Sequence, residues 1–399
     1  MTALSLARTA SLAAQLPVQA APPTASGGYH ATLHRLVAEV LAPQVLDIDL
    51  KAAYPEGFLR ELGAAGGFGG AASPEHGGNG LGLMQVIETM DLVSQTCLST
   101  GFLVWCQTAC ARYIEMSENA ELKRDLLPHI ARGALLAGTG LSNTVKSCDA
   151  VEAFRLSARR VEGGYVINGV LPWVSNLGPD HVFATGCPVE AAGPGDDGLV
   201  FIIVDCNATG FKMVDCAHFM AIDGTRTLAC HFKNTFVPDG MVLSHPGQSK
   251  AYVRRIKPGM ILGQMGMCLG LAQACLDLMK QSNRTHAHVN RYLDDQVDDL
   301  APELADLRDH TLVAARTLQA NPLADIVLDI LKLRLRGGEL ALRAAQSALL
   351  HLGAKGYLQK SPAQRRVREA YFVAIVTPAT KHLRREIARL ESGQAVCAA

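Results

Sequence analysis

Tryptophan is nearly absent from this chain, with two in 399 residues, and aromatics make up only 5%. Charge of one sign is missing as well. Lys and Arg number 37, Asp and Glu also 37, so the formal net charge is zero. That balance leaves no electrostatic footprint for nucleic acid or an anionic membrane surface. No apolar run is read as long enough to span a bilayer. Eleven cysteines are scattered without a C-x-x-C pair or a companion histidine spacing, which argues against a zinc site. They read as reduced thiols of a cytoplasmic protein, with Cys106 and Cys110 sharing one helical face. The glycine-dense stretch 66–82 lacks the Lys-Ser/Thr of a phosphate-binding loop and follows a helix, so it reads as a long turn. The first thirty residues lack the basic start and strong apolar run of a secretory signal, so 1–29 reads as a mobile arm.

What is present is mainly helix. Leu33, Leu36, Val37, Val40 and Leu41 recur at helical spacing, and helical patterns continue to about residue 134. From Leu135 the apolar period moves towards two, and strands are expected at 135–141, 154–161, 164–168, 182–186, 200–205 and 228–237. Near Met260 the period returns to that of a helix, in GMILGQMGMCLGLAQACLDLM, and stays there to about Glu391. Gly337-Gly338 is expected to kink or break that run. One of the two tryptophans sits in the stretch Tyr165–Gly186, YVINGVLPWVSNLGPDHVFATG. Asn168-Gly169 favours a tight type I′ turn, which makes the stretch a hairpin with Trp173 at its rim. From the residues alone, Trp173 is either an ordinary core residue or the wall of a flat ligand site.

That hairpin resembles the middle domain of the acyl-CoA dehydrogenase family, where Y-x-[IL]-N-G-x-K-x-W-[IV]-[ST]-N sets a Trp beside a flavin. Other motifs are similar in order and spacing: Pro74-Glu75-His76-Gly77-Gly78-Asn79-Gly80-Leu81, Leu126-Leu127-Pro128-His129-Ile130-Ala131-Arg132-Gly133, and Met220 to Thr227. Further on, Gly270-Leu271-Ala272-Gln273, His351 to Tyr357 and Arg368-Glu369-Ala370 fit the same pattern. The resemblance implies an α+β, mainly α fold. Its parts are a helical N-terminal domain (30–136), a central antiparallel β domain (137–245) and a C-terminal four-helix bundle (246–393), assembled as a homotetramer or homodimer. It further implies a flavin-dependent oxidoreductase acting on a small molecule such as a CoA thioester. The implied cofactor is FAD, with FMN as the alternative, and an electron acceptor or flavin reductase is the implied partner.

The implied cofactor contacts are Leu141, Ser142, Trp173, Ser175 and Gly353, with Arg284 supplied by a neighbouring subunit. The family's T-E-P-x-x-G-S-D loop is replaced by Leu141–Asp149, read here as a polar loop in which Ser147 or Cys148 stands near the pyrophosphate. At the cross-subunit arginine, ungapped counting gives His286 and the following Phe-Gly is missing. The largest departure concerns the base that removes the α-proton of an acyl thioester. Thr377 occupies the usual Glu position, and the alternative position falls near Met260. No catalytic residue is therefore assigned, and negligible turnover of ordinary saturated acyl-CoAs is expected unless another acid, Asp149 first, takes over. A reduced-flavin monooxygenase or a non-catalytic flavin-binding relative are the alternatives, with Asp180-His181 suggestive of the former. His181 and His382 are otherwise read as solvated surface residues. Arg365-Arg366 and Arg384-Arg385 read equally as solvated faces or anion sites.

Overall fold

The structure is a computed structural model that describes residues 26–190, 198–215 and 217–393. The proposed N-terminal arm falls almost wholly outside these residues. Six helices come first: α1 (Ser26–Leu36), α2 (Val45–Lys51), α3 (Glu56–Ala64), α4 (Gly82–Thr96), α5 (Leu98–Glu115) and α6 (Ala120–Ala131). A short π segment and a 3-10 turn join α1 to α2, where one continuous helix was expected. β1 (Ala137–Thr139) leads into a short helix α7 (Leu141–Cys148), then β2 (Leu156–Val161), β3 (Gly164–Val174) and β4 (Val182–Pro188). β5 (Leu199–Asp205), β6 (Phe211–Val214), β7 (Leu228–Pro238) and β8 (Val242–Ser244) complete two four-stranded sheets, ordered β1-β4-β5-β8 and β2-β3-β7-β6. All pairings are antiparallel except β1 with β4.

The C-terminal part is helical: α8 (Ser249–Gly263), α9 (Met265–Asn290), α10 (Val297–Ala320), α11 (Val327–Leu352), α12 (Pro362–Ile375) and α13 (Thr380–Glu391). The fold is therefore the mainly helical α+β architecture expected, with a β layer between two helical regions. One expectation about membranes fails. The stretch Ser249–Asn290 is long and apolar enough to span a bilayer by length and composition. However, 94% of its most apolar window is buried inside the protein, as in the core helix of a globular chain. Its small residues explain why. A Cβ on Gly270 would lie 2.2 Å from the Asp91 carbonyl oxygen, so glycine alone lets α9 sit against α4. Gly337-Gly338 neither breaks nor ends a helix, for α11 runs through both.

The 165–186 stretch differs from its expected form. Asn168-Gly169 is not a turn. β3 continues through it, and the β2–β3 hairpin turns instead at Glu162-Gly163, between paired Val161 and Gly164. The register of β3 on β7 slips between Ile167 and Gly169, where Gly169 has φ +125°. This is a bulge, held by Asn168 Oδ1 accepting from the Asn234 amide at 2.8 Å. A second slip falls between Leu171 and Val174. Pro172 has no N–H for the ladder there, and β2 no longer pairs beyond Gly169. Trp173 is thereby turned out of the sheet. We expect Gly169→Ala to destabilise the protein by about 2 kcal/mol, since its Cβ would lie 2.2 Å from the Arg155 carbonyl oxygen. Urea denaturation with no loss of midpoint would refute that account of the bulge.

Candidate active site

Leu141–Asp149 is a helix with a capping aspartate, not the loop expected. Tertiary bonds hold it, because its sequence, LSNTVKSC, is a weak helix former. Thr144 Oγ1 donates to the Gly186 carbonyl at 2.6 Å, and the Gly140 amide to Ala184 at 2.7 Å, fixing α7 on β4. Asn143 bonds the loop beyond through Glu152 Oε1 at 2.7 Å and the Ala153 carbonyl at 3.0 Å. The helix thus presents Ser142 at one end and Asp149 at the other.

Between α7, α8 and α13 lies a cavity of about 620 Å³, within the range of roughly 300–1,000 Å³ common for small-molecule sites. Leu141, Met260 and Pro378 are in its wall. Ser142 Oγ and Thr377 Oγ1 are 2.7 Å apart beside it. Thr377 stands in the connection after α12, where its carbonyl accepts from Gln264 Nε2 at 2.9 Å. Of the two positions that bear on the missing base, Met260 lines this cavity and Thr377 stands at its margin, next to Pro378, and neither is acidic. Lys250, Arg254 and Lys257, spaced four and three apart on α8, also line it. Lys250 and Arg254 are exposed and Lys257 is partly covered.

The wall also carries a polar group that the sequence reading missed. Lys257 Nζ lies 2.9 Å from both carboxylate oxygens of Asp149, and His382 Nε2 lies 3.0 Å from Asp149 Oδ2. Arg389 bonds Glu386 Oε2 at 2.5 Å, while Glu386 Oε1 is buried without a hydrogen-bond partner among the described residues. Burial alone would raise the Asp149 carboxyl, but the His382 hydrogen bond and the Lys257 ammonium outweigh it and hold it below its ordinary value. Asp149 is therefore a poorer proton acceptor than expected of the first substitute base. His382 is no surface residue: 4% of its side chain is exposed. His382, Glu386 and Arg389 lie four and three apart, a polar stripe on one face of α13, which is the one local signal that could have revealed them.

Most of the remaining site residues do not line this cavity. Trp173 is 57% exposed and stands edge-to-face on Phe219 at 6.2 Å. Ser175 is buried, with Oγ 2.6 Å from Thr227 Oγ1. Arg284 is exposed on α9. Gly353 is exposed with φ +56°, but its amide caps α11 by bonding Leu349 and Leu350, so it is not the free donor expected. Of the proposed cofactor contacts, only Leu141 lines the cavity, while Ser142 reaches its margin through Thr377. Cys148 faces the cavity, whereas the buried Ser147 hydroxyl has no partner among the described residues. His181 is buried, bonded to the Asn176 carbonyl at 2.9 Å and tilted against Tyr54, which gives it a structural role instead of a solvated one. Arg365 and Arg366 are neither solvated nor an anion site. They satisfy the last carbonyls of α4, at Ser94, Gln95 and Thr96, and Arg366 also pairs with Glu369.

Residues 29–134 match the acyl-CoA dehydrogenase N-terminal domain, and residues 262–390 match the acyl-CoA dehydrogenase C-terminal domain. The chain belongs to the acyl-CoA dehydrogenase family. It is 26% identical over 366 residues to the mitochondrial isovaleryl-CoA dehydrogenase of Solanum tuberosum, covering 88% of this chain and 86% of that one. Benzylmalonyl-CoA dehydrogenase of Aromatoleum aromaticum is 26% identical over 356 residues, covering 86% and 92%. Among solved structures, a glutaryl-coenzyme A dehydrogenase complex with glutaryl-CoA superposes with a TM-score of 0.83 at 21% identity, covering 96% and 98%. Butyryl-CoA dehydrogenase from Megasphaera elsdenii gives 0.82 at 18% identity, covering 94% and 100%. At these identities the superpositions establish the fold. As a member of the acyl-CoA dehydrogenase family, the protein is a flavin-dependent oxidoreductase.

The chain's own surface fits a flavin. An indole more than half exposed is an open aromatic face that a flat ring system can cover. The exposed Ser142 hydroxyl stands near the same part of the β layer that presents the α7 N-terminus.

Proposed function

We propose that the protein oxidises a small acyl thioester, CoA-linked or related, in the cavity between α7, α8 and α13, without a carboxylate at either family position for the base. The observation that carries this reading is that Met260 and the basic face of α8 line a single 620 Å³ space with Thr377 at its margin. The apolar part of the wall, Leu141, Met260 and Ile261, suits an acyl chain. Lys250 and Arg254 at the mouth suit an anionic carrier group such as the phosphates of CoA. Trp173, Leu141, Ser142 and Ser175 would hold FAD, with Arg284 reaching it from a neighbouring copy in a homotetramer or homodimer. When bound, the flavin supplies the two-electron acceptor. The monooxygenase alternative loses its residue support, because the Asp180-His181 signal is accounted for by the bond of His181 to Asn176.

Two measurements test this. Purified protein should be yellow, and its flavin absorbance should shift when a CoA thioester is titrated in. A colourless protein that does not take up added FAD would sink the reading. Trp173→Ala should weaken flavin retention by tenfold or more, as loss of a stacking face is worth about 0.5–1.5 kcal/mol beyond its area. The exposed side chain makes the fold tolerant of that change. Unchanged affinity and flavin fluorescence in the variant would remove Trp173 from the site.

A further inference from the structure

Asp149, Lys257, His382, Glu386 and Arg389 form one group of titratable side chains on the cavity wall, of which only Asp149 falls in a stretch that a family motif marks. Its geometry fixes which atom does what. Lys257 holds Asp149 ionised from 2.9 Å, so that carboxylate only accepts hydrogen bonds. His382 Nε2, 3.0 Å from Asp149 Oδ2, must therefore carry the hydrogen between them. The neutral ring then presents Nδ1 as a bare acceptor, and no described residue bonds Nδ1 while His382 lines the cavity. Asp149, His382 and Glu386 each offer one ligand atom, all within 4.8 Å of one another. A metal ion is the weaker reading of that triad, because the Lys257 ammonium already takes the cation's place on Asp149. Glu386, whose buried oxygen has no partner among the described residues, is instead placed to stabilise a positive charge forming on the ring.

We infer that His382 is the general acid–base of this cavity and that Asp149 is its positioning residue. The inference rests on the thioester reading above. In the step assigned to it, the Cα–H bond of the acyl thioester breaks and its electron pair spreads onto the thioester carbonyl. The proton goes to His382 Nδ1. The imidazolium so formed has two carboxylates within 4.8 Å, and Asp149 fixes the tautomer as the carboxylate of a His–Asp pair does. Reversal returns a solvent-derived proton to Cα, so the step can be followed without any electron acceptor.

The test is deuterium wash-in at Cα of a saturated acyl-CoA bound to the flavin-loaded protein, read by mass spectrometry. The parent should exchange, and His382→Gln should slow exchange by about two to four orders of magnitude. Asp149→Asn, which no longer fixes the tautomer, should slow exchange and move the pH midpoint of what remains down. The ring is faced by Asp149 from α7 with Lys257 from α8 behind it, and by Glu386 with Arg389 on α13. Arg254 and Asp325 lie elsewhere on the wall. With the other groups retained, the midpoint isolates Asp149, and a merely structural Asp149 would leave it unmoved. Exchange within threefold of the parent in folded His382→Gln overturns the inference. Should that variant not fold, the parent's His382 titration, followed by NMR with and without a non-oxidisable CoA thioether, decides instead. A titration unmoved by the ligand also overturns it. A parent that binds CoA thioesters but does not exchange rejects His382 alone. A parent that binds none rejects the substrate reading, and this role falls with it.

Discussion

Asp149→Ala should lower stability by about 3 kcal/mol at pH 7, the lower end of what breaking a buried ion pair costs. The side chains of Asp149 and His382 are 5% and 4% exposed, and Lys257 retains 23%, which is why the lower end applies. Removing the carboxylate leaves an ammonium and an imidazole N–H facing each other without an acceptor. Because the Asp149 carboxyl is held below its ordinary value of 3.8, its contribution is fully present above that value. It is lost as pH falls through the lower, folded value. The difference between parent and variant should therefore be largest at neutral pH and close in strong acid. Urea melts from pH 3 to 8 measure it. A double variant, Asp149→Leu with Lys257→Met, should be less destabilised than Asp149→Ala, because no charge is left stranded. If the single variant loses under 1 kcal/mol at pH 7, or the loss does not shrink in acid, the cluster is not the ionised network described.

Local sequence was most legible where local physics decides the outcome. The change of period near Leu135 located the start of the β layer, because apolar spacing records which face is buried, but helix resumes at Ser249 and not near Met260. It misled where the sheet overrides local preference. Asn168-Gly169 has the composition of a tight turn, but in the protein it is paired on both sides, and its positive φ serves a bulge. In α7 the helix is a product of its bonds to β4 and to Glu152, which a reading of LSNTVKSC cannot contain. Arg365-Arg366 look like a solvated basic pair until α4 ends against them. The Asp149 cluster was the least legible feature. Its members are brought together across 108 residues to Lys257 and 233 to His382. Motif counting could show only that positions 377 and 260 lack an acid, not what else the cavity wall carries.

Thr377→Glu placed in the His382→Gln background should recover α-carbon exchange by at least tenfold. The backbone at 377 is positioned independently of its side chain. Its carbonyl is held by Gln264 Nε2, and Gln264 Oε1 in turn accepts from Arg334 Nε at 2.9 Å. Among the described residues the Thr377 hydroxyl bonds only Ser142, so its loss costs about 1 kcal/mol. A carboxylate there would also meet a favourable field. Arg334 is 1% exposed, and its hydrogen bonds go to neutral groups, on Gln264, Cys268 and Val373. A buried guanidinium without a carboxylate partner among the described residues favours an ionised glutamate nearby. The rescued activity should carry the signature of its new base, with a pH midpoint in the carboxylate range instead of the imidazole range. Thr377→Gln in the same background supplies the isosteric control and should rescue nothing. If the double variant folds, binds a CoA thioester and exchanges no faster than His382→Gln alone, then position 377 does not address the bound α-carbon. The acyl group would in that case lie deeper towards α13 than the family motif implies.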